Sequence, residues 1–80
     1  MTVVFVPVTS SNIVALGYEA GKLYARFRGG TYEYDDVPPE VFDRLLAVDA
    51  DPHGSVGSAF NEMVKRAGFP YRKLELEEAA

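Results

Sequence analysis

Cysteine is absent from the 80 residues, which excludes a disulfide framework, thiolate metal ligation and a thiol nucleophile. A chain this short buries only ~60% of the surface that its unfolded form exposes. It must be held by hydrophobic packing or by oligomerisation, and it has material for one domain, residues 1–80. Long apolar runs are missing too. Nothing approaches the ~20 residues of a membrane helix, and Met1–Pro7 lacks the cationic start and apolar block of a secretory signal. With cysteine absent as well, the expectation is a cytoplasmic protein with no membrane contact. Basic residues are in the minority, eight Lys and Arg against twelve Asp and Glu, for a net charge of −4. That balance argues against a protein gripping duplex DNA through many phosphates, while leaving room for a local basic patch.

Histidine occurs once, at His53. Asp49, Asp51 and His53 alternate in one polar loop, but three such ligands without a fourth fall short of a closed metal site, so the loop reads as a solvated turn and no metal is expected. No Gly-x-Ser-x-Gly elbow supports a Ser-His-Asp arrangement. The chain is therefore expected not to be an enzyme and to carry no cofactor. Gly54-Ser55-Val56-Gly57-Ser58 precedes a helical pattern, where free N–H groups can hold an anion, making Ser55, Gly57 and Ser58 candidate contacts. No Gly-Lys-Ser/Thr follows, so it is not a P-loop, and ordinary helix capping is the structural alternative.

What the chain does have is β-forming sequence. Ile13–Tyr18, Leu23–Arg28 and Thr31–Tyr34 are short, rich in β-branched and aromatic residues, and separated by turn residues. A Gly29-Gly30 turn sets Arg28 opposite Thr31, Phe27 opposite Tyr32, Arg26 opposite Glu33 and Ala25 opposite Tyr34. An Ala20-Gly21 turn sets Tyr18 opposite Leu23, Leu16 opposite Ala25 and Val14 opposite Phe27. The registers agree. One face carries Val14, Leu16, Tyr18, Leu23, Ala25, Phe27, Tyr32 and Tyr34, and the other Ala15, Gly17, Tyr24, Arg26, Arg28, Glu33 and Asp35.

Val37-Pro38-Pro39-Glu40 opens a first helix, with Val41, Phe42, Leu45 and Leu46 as its apolar stripe. Ala59, Phe60, Met63, Val64 and Ala67 mark a second, capped by Ser55 or Ser58 and stopped by Gly68 and Pro70. The predicted fold is α+β: a three-stranded antiparallel meander covered on one face by two helices. Residues 1–8 suit an added edge strand, Tyr71–Leu76 a final strand or strap, and residues 75–80 an acidic tail.

Aromatic residues on a sheet can stack unpaired bases. Tyr32 and Tyr34 share a face with Leu16 and Phe27, so the register reads them as core residues with hydroxyls at its margin. Tyr24 lies beside Arg26 and Arg28 on the outer face, where a base could stack, although Glu33 opposite Arg26 also allows a plain cross-strand ion pair. Lys65, Arg66, Arg72 and Lys73 form a second basic group near the end of the second helix. From Glu33 to Asp51 the chain carries seven acids and only Arg44, a polarity that suits an oriented protein contact.

The order of motifs resembles the KTSC domain family. It is carried by Pro7-Val8-Thr9-Ser10-Ser11-Asn12-Ile13, Gly17-Tyr18, Leu23 to Phe27 with Gly30, Tyr32-Glu33-Tyr34, Val37-Pro38, Ser55-Val56-Gly57 with Phe60-Asn61, and Phe69-Pro70-Tyr71. The loop from Val48 to Gly54 is longer than the family's Ala-x-Ser-x-Gly passage. The family occurs at the carboxyl end of certain lysyl-tRNA synthetases and as free-standing bacterial and phage proteins, so the resemblance implies RNA as a partner. Its motif residues Ser10, Ser11, Asn12, Tyr32, Tyr34, Phe60 and Asn61 are expected to be structural. The leading expectation is a non-catalytic module binding RNA through Tyr24, Arg26, Arg28, Lys65, Arg66, Arg72 and Lys73. Alternatives are a protein-interaction adaptor using the acidic first helix or a sheet edge, and a small-anion binder. Ile13, Ala15 and Tyr24 on the outer face leave a homodimer open beside a monomer.

Overall fold

The computed structural model describes residues 3–10 and 12–74. Period-two alternation and tight turns generate an antiparallel sheet whose five strands lie in chain order: β1 (Phe5–Pro7), β2 (Ile13–Glu19), β3 (Lys22–Phe27), β4 (Gly30–Tyr34) and β5 (Tyr71–Leu74). Helix α1 (Pro39–Ala50) and helix α2 (Val56–Phe60), the latter continued by a π-helical turn over Asn61–Lys65, lie between β4 and β5 in the chain. The three expected strands are thus the centre of a five-stranded sheet, to which residues from both outer segments of the chain add an edge. Readings for residues 75–80 and for Ser11 lie outside the described residues.

Ala20 and Gly21 both take positive φ, 52° and 82°, and close the β2–β3 hairpin with Tyr18 opposite Leu23 and Leu16 opposite Ala25, as the pattern predicts. The expected pairing of Val14 with Phe27 is corrected by an irregularity between Ile13 and Ala15, which sets Ile13 opposite Phe27. One extra residue there reverses the parity: Ile13 is buried and Val14 exposed.

The second hairpin turns at Arg28-Gly29 rather than at Gly29-Gly30, pairing Phe27 with Gly30, Arg26 with Thr31, Tyr24 with Glu33 and Leu23 with Tyr34. The expected register is wrong by two residues, and because the shift is even, every side chain keeps its face. Gly30, not Gly29, takes the unusual conformation, with φ 151°.

Leu16, Leu23, Ala25 and Tyr34 from the sheet meet Leu45, Val56, Phe60 and Val64 from the helices in one apolar cluster, completed by Ile13 and Val37. Phe42 of α1 stacks on Tyr18 at 5.7 Å, and the Tyr18 hydroxyl donates to the Val37 carbonyl where the chain enters the helix. Ser55 caps α2 by accepting from the Ser58 amide, and Gly68, at φ 82°, turns the chain out of the helical region. Ala67, expected on the apolar stripe, is exposed, because the π-helical turn adds a residue and rotates the positions beyond it.

The outer face of the sheet is less open than the alternation suggested. Phe5 of β1 lies against Tyr24, and a Cβ on Gly17 would stand 2.7 Å from a Val3 methyl. Ala15 and Gly17 are buried there, as are Thr31 and Glu33 further across the face on β4.

Candidate functional site

Strand alternation places Tyr32 and Tyr34 on the helix side of β4, and the β4–β5 register sets Tyr71 opposite Tyr34 and Lys73 opposite Tyr32. Four aromatic rings thereby converge: Tyr71 lies 5.4 Å from Tyr34 and 6.1 Å from Tyr32, and Phe27 meets Tyr32 edge-on at 5.7 Å. From the opposite wall the π-helical turn swings the Lys65 ammonium over the Phe27 ring, 5.4 Å from its centroid. The turn at Gly68 then brings Phe69 across. Together these residues enclose a cleft of 610 Å³, and among the described residues that line it none is acidic.

Depth varies sharply around this cleft. Tyr71 is 63% exposed and Tyr34 only 4%. The Tyr34 ring rests edge-on against Phe60 of the core, 5.4 Å away, so it forms the floor while Tyr71 forms the lip. Burial raises the Tyr34 phenol above its ordinary pKa.

The opposite face of the sheet carries a separate polar cluster around Glu33, whose side chain is 7% exposed. Its carboxylate accepts from the Arg72 Nε at 2.8 Å and from the Tyr24 hydroxyl at 3.1 Å, while Lys22 approaches to 3.9 Å and pairs with Asp35 at 2.9 Å. The Arg72 hydrogen bond holds the Glu33 carboxyl below its usual range, outweighing burial, which acts in the other direction. Arg26 does not face Glu33, as the expected register had it, but lies over the Phe5 ring, 4.3 Å from its centroid.

The seven basic and aromatic residues singled out from the sequence do not form one surface. Tyr24, Arg26 and Arg72 lie on the outer face. Arg28 stands in the β3–β4 turn. Lys65 lines the cleft, and Lys73, on the same side of the sheet, extends across Gly30. Arg66 is exposed and paired with Glu62 at 3.3 Å. Arg72 and Lys73 were grouped because they adjoin in sequence, yet strand alternation sends them to opposite faces.

The Gly54–Ser58 passage is occupied with its own architecture. Ser55 Oγ takes the Ser58 amide and meets the Ser58 hydroxyl at 3.2 Å, and Gly57 lies close to Ser10. Ser10 Oγ accepts from the Asn12 and Ile13 amides, fixing the entry to β2. Phe60 is core, and the Asn61 carbonyl accepts from the Arg66 amide. Asp49, which falls in the last turn of α1 and not in the expected loop, receives the Thr9 amide at 2.7 Å, and beyond the helix Asp51 receives the His53 amide at 2.9 Å.

Sequence reasoning missed Tyr71, Phe69 and Phe27 as parts of a site. The signal was present in Tyr71-Arg72-Lys73: read as a strand, its odd positions share a face, and that face continues the alternation of Tyr32 and Tyr34.

A sequential five-stranded sheet with its helices on one side and an aromatic cleft at their junction defines a small α+β domain of antiparallel-meander type. The chain belongs to the KTSC domain family, whose model matches residues 9–69. It is 50% identical over 62 residues to a protein of Tsukamurella paurometabola, covering 74% of this chain and 85% of that one. An uncharacterized protein of Stutzerimonas stutzeri is 34% identical over 73 residues, 88% of this chain and 96% of the relative. The crystal structure of a KTSC domain protein from Yersinia pestis superposes with a TM-score of 0.79 at 30% identity, covering 92% of this chain and all of that one.

Proposed function

We propose that this chain is a non-catalytic binding module that takes an unpaired base of single-stranded RNA into the aromatic cleft. One observation carries the reading: Tyr71, Tyr32 and Phe27 offer ring surface beside the Lys65 ammonium, in a cleft lined by no described acid. A flat ring with a phosphate attached matches that combination. Stacking on an aromatic side chain contributes about 1–3 kcal/mol per base, and a lysine at the rim meets the phosphate. The size suits one nucleotide and part of its neighbour, within the ~300–1,000 Å³ of ordinary small-ligand sites. This moves the contacts expected on the outer face to the helix side. Tyr24, Arg26 and Arg72 are engaged with Glu33 and Phe5, whereas Lys65 and Lys73 remain beside the cleft.

The test is fluorescence anisotropy with labelled single-stranded and duplex RNA at 50 and 200 mM salt. Tyr71→Ala, at an exposed position, is expected to weaken single-strand binding about 10-fold or more. With Lys65 and Lys73 as the two phosphate contacts, log K falls against log salt with a slope of about −1.4. Arg26→Ala is the outer-face control and leaves binding unchanged. Absence of binding at low salt, or equal binding by Tyr71→Ala, rejects the proposal.

A protein contact is the second reading, favoured by exposed Val4, Val6 and Val14 beside the β1 edge. Sedimentation equilibrium of the wild type and Val6→Lys distinguishes a homodimer through this edge: only the wild type then self-associates.

A further inference from the structure

Tyr34 presents a discrepancy that packing does not explain. The residue is buried, at 4% exposure, yet among the described residues no group hydrogen-bonds its hydroxyl. Two half-buried sheet tyrosines differ: the Tyr18 hydroxyl donates to the Val37 carbonyl and that of Tyr24 to Glu33. Buried polar groups are nearly always paired, and a phenylalanine would fill the space between Phe60 and Tyr71 without the cost of stripping water from a hydroxyl. Tyr34 is one of the residues that line the cleft.

Building on the cleft reading, we infer that Tyr34 is the specificity-determining residue, whose phenol hydrogen-bonds the polar edge of the bound ring. The cleft therefore selects planar rings carrying a hydrogen-bonding edge, as nucleobases do, over apolar rings of the same shape. Stacking by Tyr71 and Tyr32 is indifferent to that edge, because every flat ring has a face to stack. Discrimination must come from a group that meets the ring in its own plane, and the floor of a cleft with stacking walls is where such a group lies. Raised by burial, the phenol keeps its proton at neutral pH and remains available as a donor.

The experiment compares uridine monophosphate with its difluorobenzene shape-mimic, in which the ring carbonyls are replaced by carbon–fluorine bonds, on the wild type and on Tyr34→Phe. Binding is followed by amide shifts around the cleft. The wild type is expected to prefer uridine monophosphate about 10-fold or more, since a site with a hydrogen-bonding group discriminates strongly against a partner lacking one. Tyr34→Phe binds the two alike. In the free state Tyr34→Phe melts at or above the wild-type temperature, because it loses a hydroxyl without losing a bond. Equal preference in wild type and variant overturns the inference while Tyr71→Ala still reports on the cleft. A lowered melting temperature also overturns it, by revealing a partner within the free protein. If neither uridine monophosphate nor a uridine hexanucleotide moves the cleft resonances, the proposed function falls and this inference with it. Equal affinity for the two would keep the role of Tyr34 but assign the site to free nucleotide rather than RNA.

Discussion

Replacing Glu33 by Gln tests the electrostatics of the outer face. The carboxylate is nearly covered, and its two closest partners, Arg72 and Tyr24, are both donors. Hydrogen bonds to charged groups contribute about 1.5–3 kcal/mol each when well sheltered. Arg72, however, is 72% exposed, so water screens its share and the pair is discounted toward the surface range of ~0–1 kcal/mol. Gln retains the shape and one acceptor oxygen but loses the charge and points an amide at neighbouring donors. The net cost is therefore about 1.5 kcal/mol at pH 7, a fall of about 6–12 °C in melting temperature for a domain of this size.

The depressed folded-state pKa of Glu33 sets the sign of the pH dependence. Its contribution is fully present above the unfolded value of 4.5 and is lost as pH falls through the lower folded value. Urea unfolding followed by circular dichroism at pH 7 and pH 3 should thus show the gap between wild type and Glu33→Gln narrowing on acidification. A gap below ~0.3 kcal/mol at pH 7, smaller than any sheltered hydrogen bond to a charge, would refute the reasoning. A gap unchanged at pH 3 would do the same.

Ala20 holds φ 52° in the first hairpin turn, so Ala20→Gly should gain about 0.5–1 kcal/mol by thermal melting, less the added flexibility of the unfolded chain. Ser55→Ala removes the side-chain acceptor of α2 and should cost about 1 kcal/mol in urea titration. Gly17→Ala drives a Cβ to within 2.7 Å of a Val3 methyl and 3.1 Å of the Val4 carbonyl, and should cost about 1–3 kcal/mol, with faster hydrogen exchange in β1 as its local signature.

Sheet faces were legible from the sequence because side-chain direction repeats every two residues. The hairpin register could be wrong by two at Gly29-Gly30 and still leave Leu23, Ala25, Tyr32 and Tyr34 pointing to the core. Val14 was misread for the same reason: a single inserted residue is an odd shift, and nothing in Ile13-Val14-Ala15 marks where the irregularity falls. Helix ends were legible at Pro39, Ser55 and Gly68, where backbone chemistry is local. The cleft was not, since it depends on β4 meeting β5 across both helices. Tyr71 acquires its neighbours only through that long-range pairing, and Lys65 only through the helical segment that brings it over Phe27 of β3. Glu33 was read as a plain cross-strand partner of Arg26 because alternation reports direction and not cover, and its actual partner, Arg72, comes from a strand distant in sequence.

The bend between α1 and α2 has its closing residue pinned and its middle exposed. A Cβ on Gly54 would collide with the Val48 carbonyl, so only glycine seats there, whereas Pro52 and His53 face solvent. Lengthening a flexible connector costs about 0.6 kcal/mol per doubling. Extra residues inserted between Pro52 and His53 would start from two exposed positions that do not line the cleft, making that bend a graft point for an epitope or a fluorophore.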